Sequence, residues 1–212
     1  MQIGIIGATG KAGSLILKEA QARGHEVTAI VRNVSKISDS SVNILEKNVL
    51  DLTKADLQVL DVVVNAFAAA PGQETQYVEV GRILIEALKG TNTRLFVMGG
   101  AGSLFVDEAK TLRLLETPDF PKEYYPTAFH ASENLKDLEQ SSDVKWTYLS
   151  PAAFFNPHGQ RTGSYQEGKD HVIVNSNGQS YVSYADYAIA VLDELEQPKH
   201  IHERYTVVSE AE

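Results

Sequence analysis

Apolar residues run almost unbroken through short blocks of this chain and recur at helical spacing between them. Ile3-Gly4-Ile5-Ile6, Glu26–Val31, Val42–Leu45, Asp61–Ala66, Arg94–Met98 and Trp146–Leu149 have the length and composition of strands. Ala12, Leu15, Ile16 and Ala20 share one face of a helix, as do Val78, Ile83, Leu84, Ala87 and Leu88. Pro126–Gln140 reads as a further helix with Pro126 in its first turn, where the missing N–H is not needed. Strands without polar alternation are buried on both sides, and alternation of strand with helix builds a parallel sheet between two helical layers. The pattern predicts one α/β domain over residues 1–212, a doubly wound parallel sheet with helices on both faces.

Two stretches break the rhythm, 99–125 and 154–178. Each follows a strand and leaves from its carboxyl end, where open parallel sheets bind ligands. Long connections without regular structure are uncommon unless they serve a site, so both are expected on the substrate side.

Composition narrows the classes. The 212 residues are 43% apolar, enough for a well-buried core. A net charge of −9 without any basic run argues against a nucleic-acid partner. The absence of cysteine excludes disulfides, thiolate metal ligands and a cysteine nucleophile. No apolar run approaches the roughly 20 residues of a membrane span, and the start lacks a signal-peptide pattern. The expectation is a cytoplasmic protein, monomeric or weakly homo-oligomeric, with a small-molecule partner. His158, His171, His200 and His202 form no helical pair, so no metal is expected.

The first strand runs directly into Gly7-Ala8-Thr9-Gly10-Lys11-Ala12-Gly13, and a helix follows. That context, strand then close glycines then helix, is the one a dinucleotide-binding turn of a Rossmann fold requires. Glycine permits the tight turn and the approach of a pyrophosphate, and the helix start offers N–H groups to it. Without a ligand the same stretch is simply a glycine-rich helix cap. Lys11 adds charge beside the phosphates or is solvated.

The second strand ends in Val31-Arg32-Asn33, where NAD sites usually carry an acid for the ribose 2′-hydroxyl. A guanidinium there grips a 2′-phosphate that a carboxylate would repel, which favours NADP(H) over NAD(H). A solvated surface arginine is the alternative. Asn48-Val49-Leu50-Asp51 follows the third strand and suits a lid on the adenine, with Asp51 toward the exocyclic amine or capping a helix that starts near Thr53.

With these residues in view, the chain resembles the atypical short-chain dehydrogenases, and within them the NmrA-like, NAD(P)H-binding group that includes NADPH-dependent flavin and biliverdin reductases. The resemblance rests on GATGKAG at 7–13, VRN at 31–33, NVLD at 48–51, VVVNAF at 62–67 and VMGGAGSL at 97–104. It continues through YYP at 124–126, WTYLSPAAFF at 146–155, RTGSY at 161–165 and DYAIAVLDELE at 186–196. It implies that Asn65, Ala66 and Phe67 lie along the cofactor's ribose and phosphates. It also implies that Pro151, Ala152, Ala153 and Phe154 border the nicotinamide. Phe154 and Phe155 would then supply an apolar wall, or pack in the core.

Typical short-chain dehydrogenases carry Tyr-x-x-x-Lys, in which the cation one turn away lowers the phenol's pKa. Here Tyr124 is followed at that spacing by Ala128 and Tyr125 by Phe129, and Gly99-Gly100 leaves Ser103 as the nearest hydroxyl. Tyr125 and Ser103 are the candidate catalytic groups, with His130 a further proton donor. Arg161, Tyr165 and Lys169 would bind an anionic acceptor or be solvated. A conjugated acceptor needs hydride alignment above all, since solvent can supply the proton. The gap therefore favours a reductase of flavin-like, quinone or tetrapyrrole acceptors, or a cofactor sensor without turnover, over an epimerase or dehydratase.

Overall fold

The computed structural model describes residues 1–37, 39 and 41–211. Along them run β1 (Gln2–Ile6), α1 (Lys11–Ala22), β2 (Glu26–Val31), β3 (Asn43–Glu46), α2 (Lys54–Leu57), β4 (Val62–Asn65) and α3 (Gln76–Leu88). Then come β5 (Arg94–Met98), α4 (Tyr125–Glu139), β6 (Trp146–Ser150), β7 (Phe154–Asn156), β8 (Gln166–Gly168), β9 (Tyr181–Ser183), α5 (Tyr184–Glu196) and β10 (Glu203–Val208). The main sheet has eight strands in the order β3-β2-β1-β4-β5-β6-β10-β8. All its pairings are parallel except β8 on β10, and β7 pairs with β9 in a separate parallel ladder.

The sheet is apolar on both faces because successive residues of a strand point to opposite sides. In β4, Val62 and Val64 join Ile16 and Ala20 of α1 and Val191 and Leu192 of α5. Val63 faces the other way and meets Val80, Leu84 and Leu88 of α3 and Leu135 and Leu138 of α4. Burying each such side chain contributes about 1.5–3 kcal/mol. The doubly wound Rossmann architecture follows, with α1 and α5 on one face and α3 and α4 on the other.

The strands read from pattern fall within about a residue of their observed bounds. The periodicity left β7 to β10 unread. β7, β8 and β9 have three residues each, too few to establish a period. The stretch 154–178 therefore contains β7 and β8, not irregular chain alone. The stretch 99–125 carries only the 3₁₀ turns Ala101–Ser103 and Leu114–Glu116 before α4 begins. Tyr181 belongs to β9, and Tyr184 and Tyr187 to α5.

Candidate functional site

The crevice forms where the sheet's connections change direction, between β1 and β4. Gly7 leaves β1 at φ +74°, and a Cβ there would lie 2.5 Å from the Ala66 carbonyl oxygen. Both the left-handed backbone and the contact with the chain after β4 demand glycine. Gly10 donates its N–H to the Gly7 carbonyl at 2.8 Å and serves as the N-cap of α1 without a side-chain cap. A Cβ on Gly13 would sit 2.2 Å from that same carbonyl, so the helix start packs directly on the turn. No acid occupies the first turn of α1, which leaves its positive end to an external anion. Thr9, Gly10 and Lys11 are exposed on the rim, and Ala12 is half-buried.

Arg32 lies two residues past Ile30, which pairs with Ile6. Its guanidinium is exposed and has no hydrogen bond or ion pair among the described residues. Asn33 accepts from the Ser35 N–H at 2.9 Å and so turns the chain away immediately after the arginine. Beyond β3, Asn48 accepts from the Leu50 N–H at 3.2 Å and builds the 3₁₀ turn Val49–Asp51. Leu50 is half-buried and Asp51 exposed. Asp51 does not cap α2. Asp56 accepts from both the N–H and the hydroxyl of Thr53, at 2.8 and 2.6 Å, and holds that helix start.

At the end of β4, Asn65 is buried and its side chain accepts from the Phe67 N–H at 3.2 Å, while the Ala66 N–H donates to the Ile6 carbonyl at 3.1 Å. The segment Asn65-Ala66-Phe67 is thus pinned beside the glycine turn. Past β6, Pro151 and Ala152 are buried. Alternation along β7 then separates the two phenylalanines. Phe154 is 60% exposed with its ring toward Tyr181. Phe155 turns inward against Tyr184 and Tyr187, with ring centroids 3.9 and 4.8 Å away. The expected wall is therefore formed by Phe155, and Phe154 stands outside it.

The catalytic candidates are less convergent. Tyr125 opens α4 at 44% exposure and stacks on Phe129 at 6.1 Å and 17°, so an aromatic ring occupies the place a lysine would take. His130 packs edge-on to Phe129 and lines the groove between α3 and α4. Ser103 is buried, contacts the Gly100 carbonyl at 3.5 Å, and lies 3.1 Å (through its carbonyl) and 3.3 Å (through Oγ) from Arg204 Nη1. Its hydroxyl ties the 99–125 loop to β10 and is not open to a substrate. The expected anion site on the second loop also dissolves. Arg161 pairs with Glu19 at 3.0 Å, Tyr165 donates to Asp193 at 2.9 Å, and Lys169 lies 3.6 Å from Glu203.

A family model described as NAD(P)H-binding matches residues 7–198. The chain belongs to this NAD(P)H-binding family. The Bacillus subtilis (strain 168) protein YwnB is 68% identical over 213 residues, covering all of both chains. Among solved structures, SP1627 of Streptococcus pneumoniae TIGR4, a candidate NADH-flavin reductase, is 43% identical with a TM-score of 0.95 over 99% of this chain and 100% of its own. A candidate epimerase of Bacteroides thetaiotaomicron is 36% identical with a TM-score of 0.86, covering 100% of this chain and 99% of its own. The uncapped start of α1, held against the tight turn that Gly7 and Gly13 permit, fits the nucleotide that the family takes, because its free N–H groups and positive end face an anion.

Sequence reading missed three residues that shape the site. Arg204 joins β10 to Ser103 and, at 2.9 Å, to Asp170. Asp186 is fully buried in α5 and accepts from the Thr162 and Gly163 N–H groups, each at 2.9 Å, which anchors the second loop. Tyr77, in the first turn of α3, lays its ring edge-on to Phe67 at 5.9 Å. Of these only Asp186 left a local trace, as the fourth residue of a Ser183-x-x-Asp186 helix start.

Proposed function

We propose that this chain is an NADP(H)-dependent reductase, acting in the cytoplasm on flat conjugated acceptors of the flavin, quinone or tetrapyrrole kind. The observation that carries the cofactor half is Arg32, an exposed guanidinium without a partner among the described residues at the end of β2. It meets a 2′-phosphate without first giving up an ion pair. In this reading the 7–13 turn and the start of α1 hold the diphosphate. Leu50 and Asp51 border the adenine, and Asn65, Ala66 and Phe67 follow the ribose. Pro151, Ala152 and the inward-facing Phe155 flank the nicotinamide. The bound nucleotide supplies hydride; the chain orients it and excludes water from the ring.

The acceptor half is supported by the missing lysine after Tyr125 and by the flavin-reductase description of the 43%-identical Streptococcus protein. That description names NADH, so the deciding experiment compares both nucleotides. Replacing Arg32 by alanine removes a charge-assisted contact of about 1.5–3 kcal/mol, a roughly ten- to hundredfold loss in NADPH affinity. NADH affinity should be unchanged. Equal loss of both would make Arg32 structural and end the NADP reading. The same missing lysine also favours a second reading, a cofactor sensor without turnover. NADPH oxidation with flavins, quinones and bilins separates the two.

A further inference from the structure

Tyr77 and Tyr184 reach the carboxyl end of the sheet from opposite layers. Tyr77 stands in the first turn of α3 and Tyr184 is the first residue of α5. Each packs on an aromatic residue of a segment that borders the crevice, Tyr77 on Phe67 and Tyr184 on Phe155.

Their hydroxyls differ from those of the neighbouring tyrosines. Tyr148 donates to the Ala131 carbonyl at 3.1 Å, Tyr187 to Leu149 at 2.7 Å and Tyr205 to Ala190 at 3.3 Å. Those protons are spent within the fold. The Tyr77 hydroxyl donates to no group among the described residues, which leaves its proton to give. The Tyr184 hydroxyl has no hydrogen-bond partner among the described residues and is half-buried, with both protein and solvent in reach. Burial raises both phenols above the ordinary tyrosine range, so each remains a donor at neutral pH.

We propose that Tyr77 and Tyr184 form the acceptor subsite and donate their O–H groups to carbonyl oxygens of a conjugated ring, the edge that isoalloxazines and quinones share. Phe67 and Phe155 supply apolar surface for the ring itself. Two neutral donors in an apolar frame select a neutral carbonyl edge. They neither attract nor repel a net charge, unlike the ion-paired second loop. Donation to that oxygen also stabilises the negative charge that builds there as the ring is reduced.

This assignment rests on the reductase reading, and the test separates the two. Riboflavin binding is followed by quenching of its own fluorescence, with no nicotinamide nucleotide present. Tyr77→Phe and Tyr184→Phe each remove one hydroxyl and keep the ring, and should weaken riboflavin roughly three- to tenfold, the worth of one hydrogen bond. NADPH affinity should change by less than about twofold, within the scatter of a surface substitution. Tyr165→Phe, away from the crevice, should leave riboflavin binding unchanged. No riboflavin binding by the wild type, unchanged binding by both variants, or equal loss of riboflavin and NADPH would each overturn the assignment. Failure of the wild type to bind NADPH would instead overturn the reductase reading, whatever riboflavin does.

Discussion

Arg204→Ala should unlock the 99–125 and 154–178 stretches at once. Arg204 is 8% exposed. Its Nε donates to Asp170 at 2.9 Å, its Nη1 to the Ser103 carbonyl at 3.1 Å, and its guanidinium lies 5.9 Å from the centre of the Phe105 ring. Truncation leaves a buried carbonyl without its donor and Asp170 with Lys110 alone, at 2.6 Å. Breaking a fully buried pair costs about 3–5 kcal/mol. Asp170 is 31% exposed, so part of that is recovered from water. The loss should be about 2–4 kcal/mol, or roughly 5–15 °C in melting temperature for a domain of this size. Trp146 is the only tryptophan and is buried, so urea unfolding followed by its fluorescence reads the change. Acid sharpens the test. Burial alone would raise the Asp170 carboxyl, but hydrogen bonds from Lys110 and Arg204 outweigh it and hold it below its ordinary value. A lowered carboxylate stabilises the fold above its unfolded pKa, near 4, and that share is lost as pH falls through the lower folded value. Wild type should therefore lose more stability below about pH 4 than the variant does. A loss under about 1 kcal/mol, or one matched by Ser103→Ala, would refute the clamp.

Other outcomes test the frame around it. Gly13→Ala places a methyl 2.2 Å from a backbone carbonyl that no rotamer change can move aside. It should cost about 1–3 kcal/mol of stability and weaken NADPH and NADH alike, seen in paired urea and nucleotide titrations. Binding of both at wild-type strength would mean that α1 shifts freely on the turn. Asp186→Ala removes the acceptor for the Thr162 hydroxyl at 2.8 Å and for two loop N–H groups. Limited proteolysis should then cut near 157–165 while the parallel sheet stays folded; an unchanged digestion pattern would show that β7 and β9 hold the loop unaided.

The sequence alone determined the parallel sheet from β1 to β6, the glycine turn and the cation that follows β2. Those signals are local. A two-residue or 3.6-residue period, a left-handed glycine and a strand end are each encoded within a few neighbouring positions. Tertiary structure decided which polar groups remain available. Arg161 and Arg32 look alike in the sequence, yet Arg161 is paired with Glu19 across the fold and Arg32 has no partner among the described residues. Ser103 looked like a free hydroxyl until β10 delivered Arg204 to it. Tyr77 and Tyr184 lie more than a hundred residues apart in the sequence, and only the fold sets each against an aromatic residue that borders the crevice. A side chain's chemistry depends on its partners, and those partners lie far along the chain, where no period reaches.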